Sequence, residues 1–391
     1  MLKKFLKKKL GNKYYYFRLK FILKFIFGKY FFHARDKYKN FISKFRFIKK
    51  NLDKKIEHQK IVEKENGIIL DFTKDNFLTY HLRPIEYNNF KLESTCEIKD
   101  KLAIIFQGPI NKNYKFLLNT LKIYKKIFKN SIFIISTWKN EDIQKIEKLK
   151  SDNVFIVYNE EPKKSLYNID HQTFSTFNGL KLALEKNFKY SIKTRADIRI
   201  HKNNLETFLI SLIETFPIKK NNFLNSRIVV PSLTTFKYRL YGLSDIVMFG
   251  ETKDLMSYFD PESYEKGLSK FDIKKNSHLI NQTPIVAEVF LCARFIMKIN
   301  GKIEWKLDEW WNSLKDYFCV VDNSSFDLFW YKYDWDYEYR YLRTYADKFS
   351  RSLDFQDWLS LYNNHKNNWE IASSEHEKYN EYKQLINLFK D

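Results

Sequence analysis

The sequence predicts an α/β fold, with a mostly parallel, Rossmann-type sheet flanked by helices. From residue 100 onward, short apolar runs typical of buried strands alternate with helical patterns. The alternation repeats every ~25–30 residues, which is typical of a parallel sheet with helices on its faces. The chain is 44% hydrophobic, so it can bury a sizeable core.

Four strands are predicted first, and three helices connect them. The strands cover 102–106, 132–136, 154–157 and 190–193, and the helices cover 113–129, 141–150 and 169–186. Each strand is a continuous apolar run that ends at polar or turn residues. After residue 225 the alternation loosens, with strand patterns at 227–230 and 245–249 and a helical pattern at 284–298. From residue 305 the chain is dense in Trp, Tyr and acidic residues, where we expect mixed short elements.

The positive charge is concentrated at the N-terminus. The chain has 69 Lys and Arg against 47 Asp and Glu, a net charge of +22. Residues 1–60 hold 20 of these cations and 3 of the acids, so +17 of the +22 lies there. Apolar residues at near-helical spacing over 17–26 predict a basic amphipathic helix, which suits an anionic membrane surface. A solvated helix packed on the body and a partner-binding segment are the alternatives, and no nucleic-acid motif accompanies the charge.

Other bulk features exclude several classes. The longest apolar stretch near the N-terminus, 21–27, is interrupted by Lys24, whereas a spanning helix needs about 20 apolar residues. No small-residue cleavage site of a signal peptide follows it. The cysteines Cys96, Cys292 and Cys319 are far apart, which indicates reduced thiols rather than a disulfide framework or metal site.

Polar residues follow each of the four strands. Ligands of open α/β sheets bind outside the carboxyl ends of the strands, so these residues should converge at one rim. In strand order they are Gln107, Gly108, Pro109 and Ile110; Thr137 and Trp138; Asn159, Glu160 and Glu161; and Thr194, Arg195, Asp197 and Arg199.

The fourth set points to the chemistry. The chain lacks the glycine motifs of dinucleotide and P-loop sites and the nucleophile elbow, which disfavours a nicotinamide dehydrogenase, an ATPase and an α/β-hydrolase. Asp197 remains, flanked by Arg195 and Arg199. A carboxylate can hold Mg²⁺ or Mn²⁺ on a diphosphate, and an arginine can pair with a phosphate bidentately. These residues therefore suit a sugar-nucleotide donor with Asp197 as metal ligand; an ion pair that braces the loop is the alternative.

Five segments in this order resemble the WavE lipopolysaccharide-synthesis family. They are IIFQGPI at 104–110, IISTW at 134–138, Asn168 with Gln172 and Ser175, KTRADIR at 193–199, and SDIVMFG at 244–250. The resemblance covers residues 100–340 and implies a GT-A-type transferase acting on bacterial lipopolysaccharide or capsule. A cytoplasmic location, peripheral on the inner membrane, would follow. Because position 195 is Arg, the sequence lacks a full Asp-x-Asp, and a divalent cation (Mn²⁺ or Mg²⁺) is allowed rather than required.

The resemblance also suggests roles around the donor. Gln107, Gly108 and Pro109 would border the nucleotide, Thr137 and Trp138 would contact the base or ribose, Asn168 and Gln172 would present polar groups, and Arg195, Asp197 and Arg199 would carry the phosphates or metal. Trp138 can equally belong to the core.

An inverting transferase needs a base near the acceptor hydroxyl. Glu288 is the favoured candidate, because a lone carboxylate in the apolar run 284–291 must be paired or functional. An ion pair with Arg294 is the alternative reading, and Asp245 is the second candidate. Ser244 and Asp245 could instead bind the acceptor sugar.

The C-terminal region and the domain division complete the predictions. Two or three of its aromatics should stack on sugar rings, and two acids should bind hydroxyls; the candidates are Trp305, Trp310, Trp311, Trp330, Tyr331, Tyr333, Trp335 and Tyr337, with Asp334 and Asp336. We expect a basic helical region over 1–95, a catalytic domain over 96–300 and an aromatic-rich extension over 301–391. Transfer of another group, such as a phospho-group, to the same polymer and a non-catalytic membrane-associated assembly module remain the alternative functions.

Overall fold

The computed structural model describes residues 69–73, 76–79, 102–163, 168–219, 223–261, 287–333 and 352–364. The chain forms two compact units, Met1–Arg83 and Pro84–Asp391. The predicted amphipathic helix at 17–26 and Cys96 lie outside the described residues. In the described helices no segment is long and apolar enough to cross a membrane.

The described residues of the first unit are extended, although the sequence predicts a helical region over 1–95. Strand β1 (Ile69–Thr73) pairs antiparallel with β2 (Asn76–Thr79), and Ile69 lies opposite Thr79. Two runs rich in Ile, Phe and Thr separated by two residues are the pattern of a β-hairpin. The helical expectation came from the lysine-rich pattern further upstream, which does not continue here.

A seven-stranded sheet forms the centre of the second unit. Its strands are β3 (Leu102–Gln107), β4 (Ile132–Trp138), β5 (Val154–Asn159), β6 (Tyr190–Arg195), β8 (Ile228–Pro231), β9 (Met248–Glu251) and β10 (Phe318–Val321). Their order is β10-β8-β9-β6-β3-β4-β5. Strands β5, β4, β3 and β6 are parallel neighbours, and only β9 runs antiparallel to the strands beside it. The predicted mostly parallel sheet is therefore confirmed.

The register aligns the carboxyl ends of the parallel strands. Gln107, the last residue of β3, lies opposite Ser136 of β4 and Arg195 of β6. Trp138, the last residue of β4, lies opposite Asn159, the last residue of β5. All six residues of β3 and all seven of β4 are buried, which explains their uninterrupted apolar pattern.

Nine helices cover the sheet in the described part of the chain. They are α1 (Tyr114–Ile127), α2 (Ile143–Glu147), α3 (Ile169–Glu185), α4 (Leu205–Thr215), α5 (Thr252–Tyr258), α6 (Ala287–Asn300), α7 (Leu307–Tyr317), α8 (Asn323–Phe326) and α9 (Phe355–Asn363). Short 3₁₀ turns lie at Asn111–Asn113 and Tyr331–Tyr333.

Helices α1 and α3 lie on opposite faces of the sheet. Successive side chains of a strand alternate between faces. Ile105 meets α3, where a Cβ on Gly179 would come within 2.6 Å of its Cγ2 atom. Phe106 instead packs on Tyr124 of α1, with ring centroids 5.6 Å apart. The close approach at Gly179 sets how near the first turn of α3 comes to the strand ends.

The C-terminal region contributes strands to the same unit. Strand β10 pairs parallel with β8, so Phe318 lies opposite Ile228. A separate two-stranded ladder joins β7 (Ile198–Ile200) to β11 (Leu328–Trp330). This ladder brings residues near 330 directly behind the end of β6.

Candidate functional site

A cavity of about 850 Å³ lies at the carboxyl ends of β3, β4, β5 and β6. Each of the four residue sets that follow these strands contributes to its wall. The predicted site residues that line it are Gln107, Gly108, Pro109, Trp138, Asn168, Gln172, Arg195 and Asp197. The structure thus brings most of the predicted residues to one place; their roles stay predictions.

The loop after β3 is fixed by a glutamate that the sequence did not single out. Gly108 has a φ of +103°, a conformation that glycine adopts without steric cost. Two residues later, the Ile110 amide donates to both carboxylate oxygens of Glu141, at 2.9 and 2.8 Å. The Thr137 hydroxyl donates to the same carboxylate. Glu141 therefore ties the loop after β3 to the end of β4.

Thr137 does not reach the cavity, contrary to the prediction that it contacts the base or ribose. Its side chain is fully buried, and its hydroxyl is turned toward Glu141. Its neighbour Trp138 does line the cavity although only 4% of it is exposed. Trp138 is therefore a buried residue at the cavity wall, and its contact with a ligand stays a prediction.

The first turn of α3 forms the opposite wall. Asn168, with a φ of +56°, precedes the helix, and His171 and Gln172 face the cavity from its first turn. The His171 ring stands edge-on to Trp138, with centroids 5.3 Å apart. Ser175, one turn further on, is buried; its hydroxyl donates to the His171 carbonyl at 2.7 Å and lies 3.3 Å from Oε1 of Gln107. Ser175 thus contacts cavity residues without lining the cavity itself.

Arg195 and Asp197 form a bidentate ion pair at the centre of the site. The Arg195 Nε and Nη2 atoms donate to Oδ1 and Oδ2 of Asp197 at 2.8 and 2.9 Å. The Trp330 indole, from β11, donates to Oδ2 at 3.2 Å. Burial alone would raise the pKa of Asp197, but the hydrogen bonds and charge of Arg195 and the Trp330 bond outweigh it and lower that pKa. Asp197 is therefore ionised at neutral pH.

Arg199 lies away from the cavity, which corrects its prediction as a phosphate ligand. Its guanidinium is fully buried and donates to the Thr120 hydroxyl at 2.9 Å and the Phe116 carbonyl at 3.2 Å. It also stacks over the Phe116 ring, 4.4 Å from the centroid. Ala196 and Asp197 form a turn between β6 and β7. The Arg199 side chain, beyond this turn, therefore packs against α1 and does not face the cavity.

A second cluster of charged groups lies behind Gln172. The Gln172 amide donates to Oδ2 of Asp245 at 2.6 Å, and the buried Lys193 ammonium donates to the Asp245 backbone carbonyl. Burial lowers the pKa of Lys193 to about 8, partly offset by the nearby negative charge of Asp245. The cluster joins β6 to the SDIVMFG segment.

Glu288, in the first turn of α6, belongs to this cluster. Burial and the negative charge of Asp245 raise the pKa of Glu288 to about 7, against the opposing charges of Arg239 and Lys193. The predicted alternative, an ion pair with Arg294, is not among its described contacts. The Arg294 guanidinium donates instead to the Tyr258 carbonyl at 3.4 Å. Glu288 is not part of the cavity wall, and Asp245 is separated from the cavity by Gln172.

The described residues do not fit a divalent cation at Asp197. Both of its oxygens accept hydrogen bonds, and Oδ2 accepts two. In the described ranges no cluster of three His, Cys, Asp or Glu residues could hold a metal ion. Mg²⁺ and Mn²⁺ prefer several oxygen ligands, which this arrangement does not offer.

The C-terminal aromatics divide between core and site. The Trp310 and Trp311 indoles donate to the carbonyls of Phe236 and Lys237, which places both in the core. Tyr331 is 37% exposed and stacks on Phe116, with centroids 4.7 Å apart. The Tyr333 side chain and residues 334–337 lie outside the described part of the chain.

Six further cavity residues were not assigned a role from the sequence. They are Asn113, Glu161, Pro162, Lys163, His171 and Ala196. Lys163 and Pro162 follow β5 just beyond Glu161, so a longer window after each strand would have included them. Asn113 comes from the start of α1, which no strand-end rule predicts.

Comparison with known proteins places the chain in a family. The WavE lipopolysaccharide synthesis family matches residues 102–387, well over half of the chain and all five motif segments. No curated protein matches it.

Two solved structures resemble the chain weakly. The 4-diphosphocytidyl-2C-methyl-D-erythritol synthase of Anaerococcus prevotii DSM 20548 has a TM-score of 0.27 and 17% identity, covering 46% of this chain and 81% of its own. A protein of Desulfovibrio desulfuricans G20 described as a nucleotide-diphospho-sugar transferase has a TM-score of 0.33 and 9% identity, covering 75% and 99%.

Proposed function

The chain belongs to the WavE lipopolysaccharide synthesis family, as its five motifs predicted, and from this premise we propose that it is a glycosyltransferase. It moves a sugar from a nucleotide-sugar donor to a bacterial surface polysaccharide acceptor, lipopolysaccharide or capsule. The observation that carries the proposal is the cavity of about 850 Å³ at the carboxyl edge of a mostly parallel sheet. Ligand pockets typically measure ~300–1,000 Å³, and a nucleotide-sugar falls within this size class.

The wall chemistry supports a placement for the donor. Trp138 and His171 offer ring edges to the base, and Gly108 allows the backbone to approach the ribose closely. Arg195 and Lys163 supply positive charge for the phosphates. The first turn of α3 adds amide groups and the positive end of the helix dipole. These groups would also stabilise the charge that develops on the leaving nucleotide.

Glu288 is the proposed base, and Asp245 is the second candidate. In an inverting reaction, the base takes the proton of the acceptor hydroxyl. The oxygen of that hydroxyl bonds to the anomeric carbon of the donor sugar as the bond from that carbon to the leaving phosphate breaks. A pKa near 7 suits a group that must accept a proton at neutral pH. The Gln172–Asp245 hydrogen bond links this cluster to the cavity wall.

The C-terminal region is proposed to bind the part of the acceptor glycan beyond the reacting sugar, toward β11. Trp330 reaches Asp197, and the next residue, Tyr331, presents an exposed ring on which a sugar can stack. The region 301–391 thus completes the site of the catalytic domain over 96–300. The basic region within 1–95 would hold the protein on the cytoplasmic face of the inner membrane, close to a lipid-linked acceptor.

A donor screen by thermal shift tests the proposal. The full chain is heated with UDP-, GDP-, CMP- and dTDP-sugars, and we expect one nucleotide class to raise Tm. The matched variants are Arg195→Gln, which should lose the shift, and Lys181→Gln on the exposed side of α3, which should keep it. Absence of stabilisation by every nucleotide would refute the transferase and favour an assembly module. A shift with no sugar transfer to the polymer would favour transfer of another group.

A further inference from the structure

We infer that the Arg195 guanidinium takes the place of a divalent cation on the donor diphosphate, and that Asp197 and Trp330 are positioning residues that orient it. This inference rests on the proposed function, because it specifies how the same cavity binds its donor. The sequence left a metal ion at Asp197 allowed but not required, and this inference decides against it.

Exposure decides which member of the ion pair meets the ligand. The Arg195 side chain is 32% exposed, whereas the Asp197 side chain is 8% exposed. Both residues line the cavity, but the guanidinium presents more of its surface there than the carboxylate does. A cation on Asp197 would have to displace Arg195 first.

The ion pair with Asp197 fixes the orientation of the Arg195 guanidinium. A guanidinium carries five N–H groups in a fixed plane. Asp197 engages two of its nitrogens, Nε and Nη2, so the pair fixes the plane of the fork. A guanidinium held in this way is suited to bidentate contact with phosphate oxygens.

Trp330 supports the pair from two directions. Its indole donates to Oδ2 of Asp197 at 3.2 Å, and its ring lies 5.5 Å from the Arg195 Cζ atom. The Tyr331 amide donates to the Asp197 backbone carbonyl at 2.9 Å, so β11 is fixed to the same turn. The low pKa of Asp197 agrees with a carboxylate that stays ionised to hold a cation.

The rest of the cavity is consistent with an anion site built from protein groups. Lys163 lines the cavity, and the first turn of the 17-residue helix α3 borders it through Asn168, His171 and Gln172. Both features place positive potential on the wall. Glu161 also lines the cavity, where it contacts His171 at 3.2 Å, so Arg195 and Lys163 are the cavity cations available to the donor phosphates.

The test is nucleotide diphosphate binding with and without metal. UDP, GDP, CDP and dTDP are titrated into the full chain by calorimetry, once in EDTA and once in MnCl₂. We expect the best nucleotide to bind with Kd values that agree within about twofold in the two buffers. Mn²⁺ titration followed by electron paramagnetic resonance should show no tight site.

Substitutions separate the roles. Arg195→Gln should weaken binding by at least about tenfold in both buffers, and Arg195→Lys, which keeps the charge but loses the fork, should fall between. Trp330→Phe keeps the ring but loses the indole donor, so we expect a loss of about two- to fivefold. The acid limb of the binding–pH profile should also move to higher pH, because Asp197 loses a hydrogen bond to its charged form.

Trp358→Phe is the matched control for Trp330→Phe. Its indole donates to the Leu314 carbonyl, also at 3.2 Å, far from the cavity in the α7–α9 contact. It should leave both the affinity and the pH profile unchanged. If Trp358→Phe shifted the binding–pH profile as much as Trp330→Phe does, the positioning role of Trp330 would be overturned.

The two levels of the proposal fail differently. Binding that requires Mn²⁺, or a tight Mn²⁺ site lost in Asp197→Asn, overturns the inference while the transferase proposal stands. Absence of nucleotide binding in both buffers overturns the proposed function and the inference with it. Comparing Tm without ligand shows whether any variant has simply failed to fold.

Discussion

Glu288 is the ionisable side chain whose environment is easiest to test. Its pKa in the folded protein is about 7, against 4.5 for the free group, because burial and Asp245 disfavour its charge. The folded protein therefore binds more protons than the unfolded chain between these values, and stability falls as pH rises through this window. We predict that Glu288→Gln is more stable than the wild type at pH 8 by about 1–3 kcal/mol, and similar near pH 4.5.

The measurement is urea unfolding at the two pH values, with transferase activity measured on the same samples. Glu214→Gln, at an exposed position of α4, is the control and should change neither quantity. A stabilised but inactive Glu288→Gln would support the base role. An active variant would transfer that role to Asp245.

Glu141 gives a second test at the residue scale. Its carboxylate accepts from the Ile110 amide through both oxygens and from the Thr137 hydroxyl. A glutamine offers one oxygen and turns an NH₂ toward one of these donors. We predict that Glu141→Gln lowers the free energy of unfolding by about 1–3 kcal/mol and raises the KM for donor.

Asp152→Asn, at an exposed position after α2, is the comparison for Glu141→Gln. Denaturant unfolding and steady-state kinetics are measured on both variants. Equal stability of the two would mean that the loop after β3 does not depend on Glu141.

Side-chain direction limits what the sequence predicts at this scale. The strand pattern predicts that Asp197 lies at the rim. Its partner Trp330 lies 133 positions later in the sequence, and the β7–β11 ladder brings the two residues within hydrogen-bond distance. Thr137 lies near the end of β4 and Arg199 lies in β7, just beyond the end of β6, yet their side chains turn toward Glu141 and Thr120. Strand-end spacing places the backbone at the rim and leaves the facing of each side chain open.

At the element scale, the close approach of α3 to β3 positions the cavity wall. A Cβ on Gly179 would lie 2.6 Å from Ile105 Cγ2 and 3.3 Å from Ser136 Cβ, both in buried strands. We predict that Gly179→Ala displaces α3 and costs about 1–3 kcal/mol of stability, as overpacking usually does. Donor affinity should fall as well, because the first turn of α3 forms part of the cavity.

Lys181→Ala, two positions along on the exposed side of α3, is the matched control. Thermal unfolding and the donor-induced Tm shift are compared for the two variants. A Gly179→Ala protein as stable as the control would mean that the helix moves away without cost. The close approach would then not position the site.

Elements with continuous patterns were predictable, and elements defined by long-range pairing were not. The first four strands of the sheet and α3 appear where their apolar runs placed them, with β4, β5 and β6 each extended by two residues. The pattern at 245–249 is shifted, since β9 is Met248–Glu251. Strands β7 and β11 have three residues each and are defined by their pairing with each other, so no local sequence pattern predicts them.

At the scale of the whole molecule, one sheet carries both halves of the proposed chemistry. The parallel strands β3 to β6 end at the cavity, and β9 lies antiparallel beside β6, with Lys193 opposite Met248. Asp245, three residues before Met248, is therefore brought next to Lys193 behind the cavity wall. Gln172 lines the cavity and donates to Asp245, so it connects the donor pocket to the candidate base.

The uneven charge of the whole chain leads to the last prediction. Residues 1–60 carry +17 of the net +22, so the remaining 331 residues carry only +5. Each cation close to an anionic leaflet contributes on the order of 1 kcal/mol of attraction, which salt screens.

We predict that the full chain co-sediments with phosphatidylglycerol vesicles at low salt, and that removing residues 1–60 lowers its partition coefficient by at least about tenfold. Neutral phosphatidylcholine vesicles are the control, and thermal unfolding of the shortened chain checks its fold. Unchanged sedimentation of the shortened chain would place the membrane contact elsewhere, and binding to both vesicle types alike would argue against an electrostatic contact altogether.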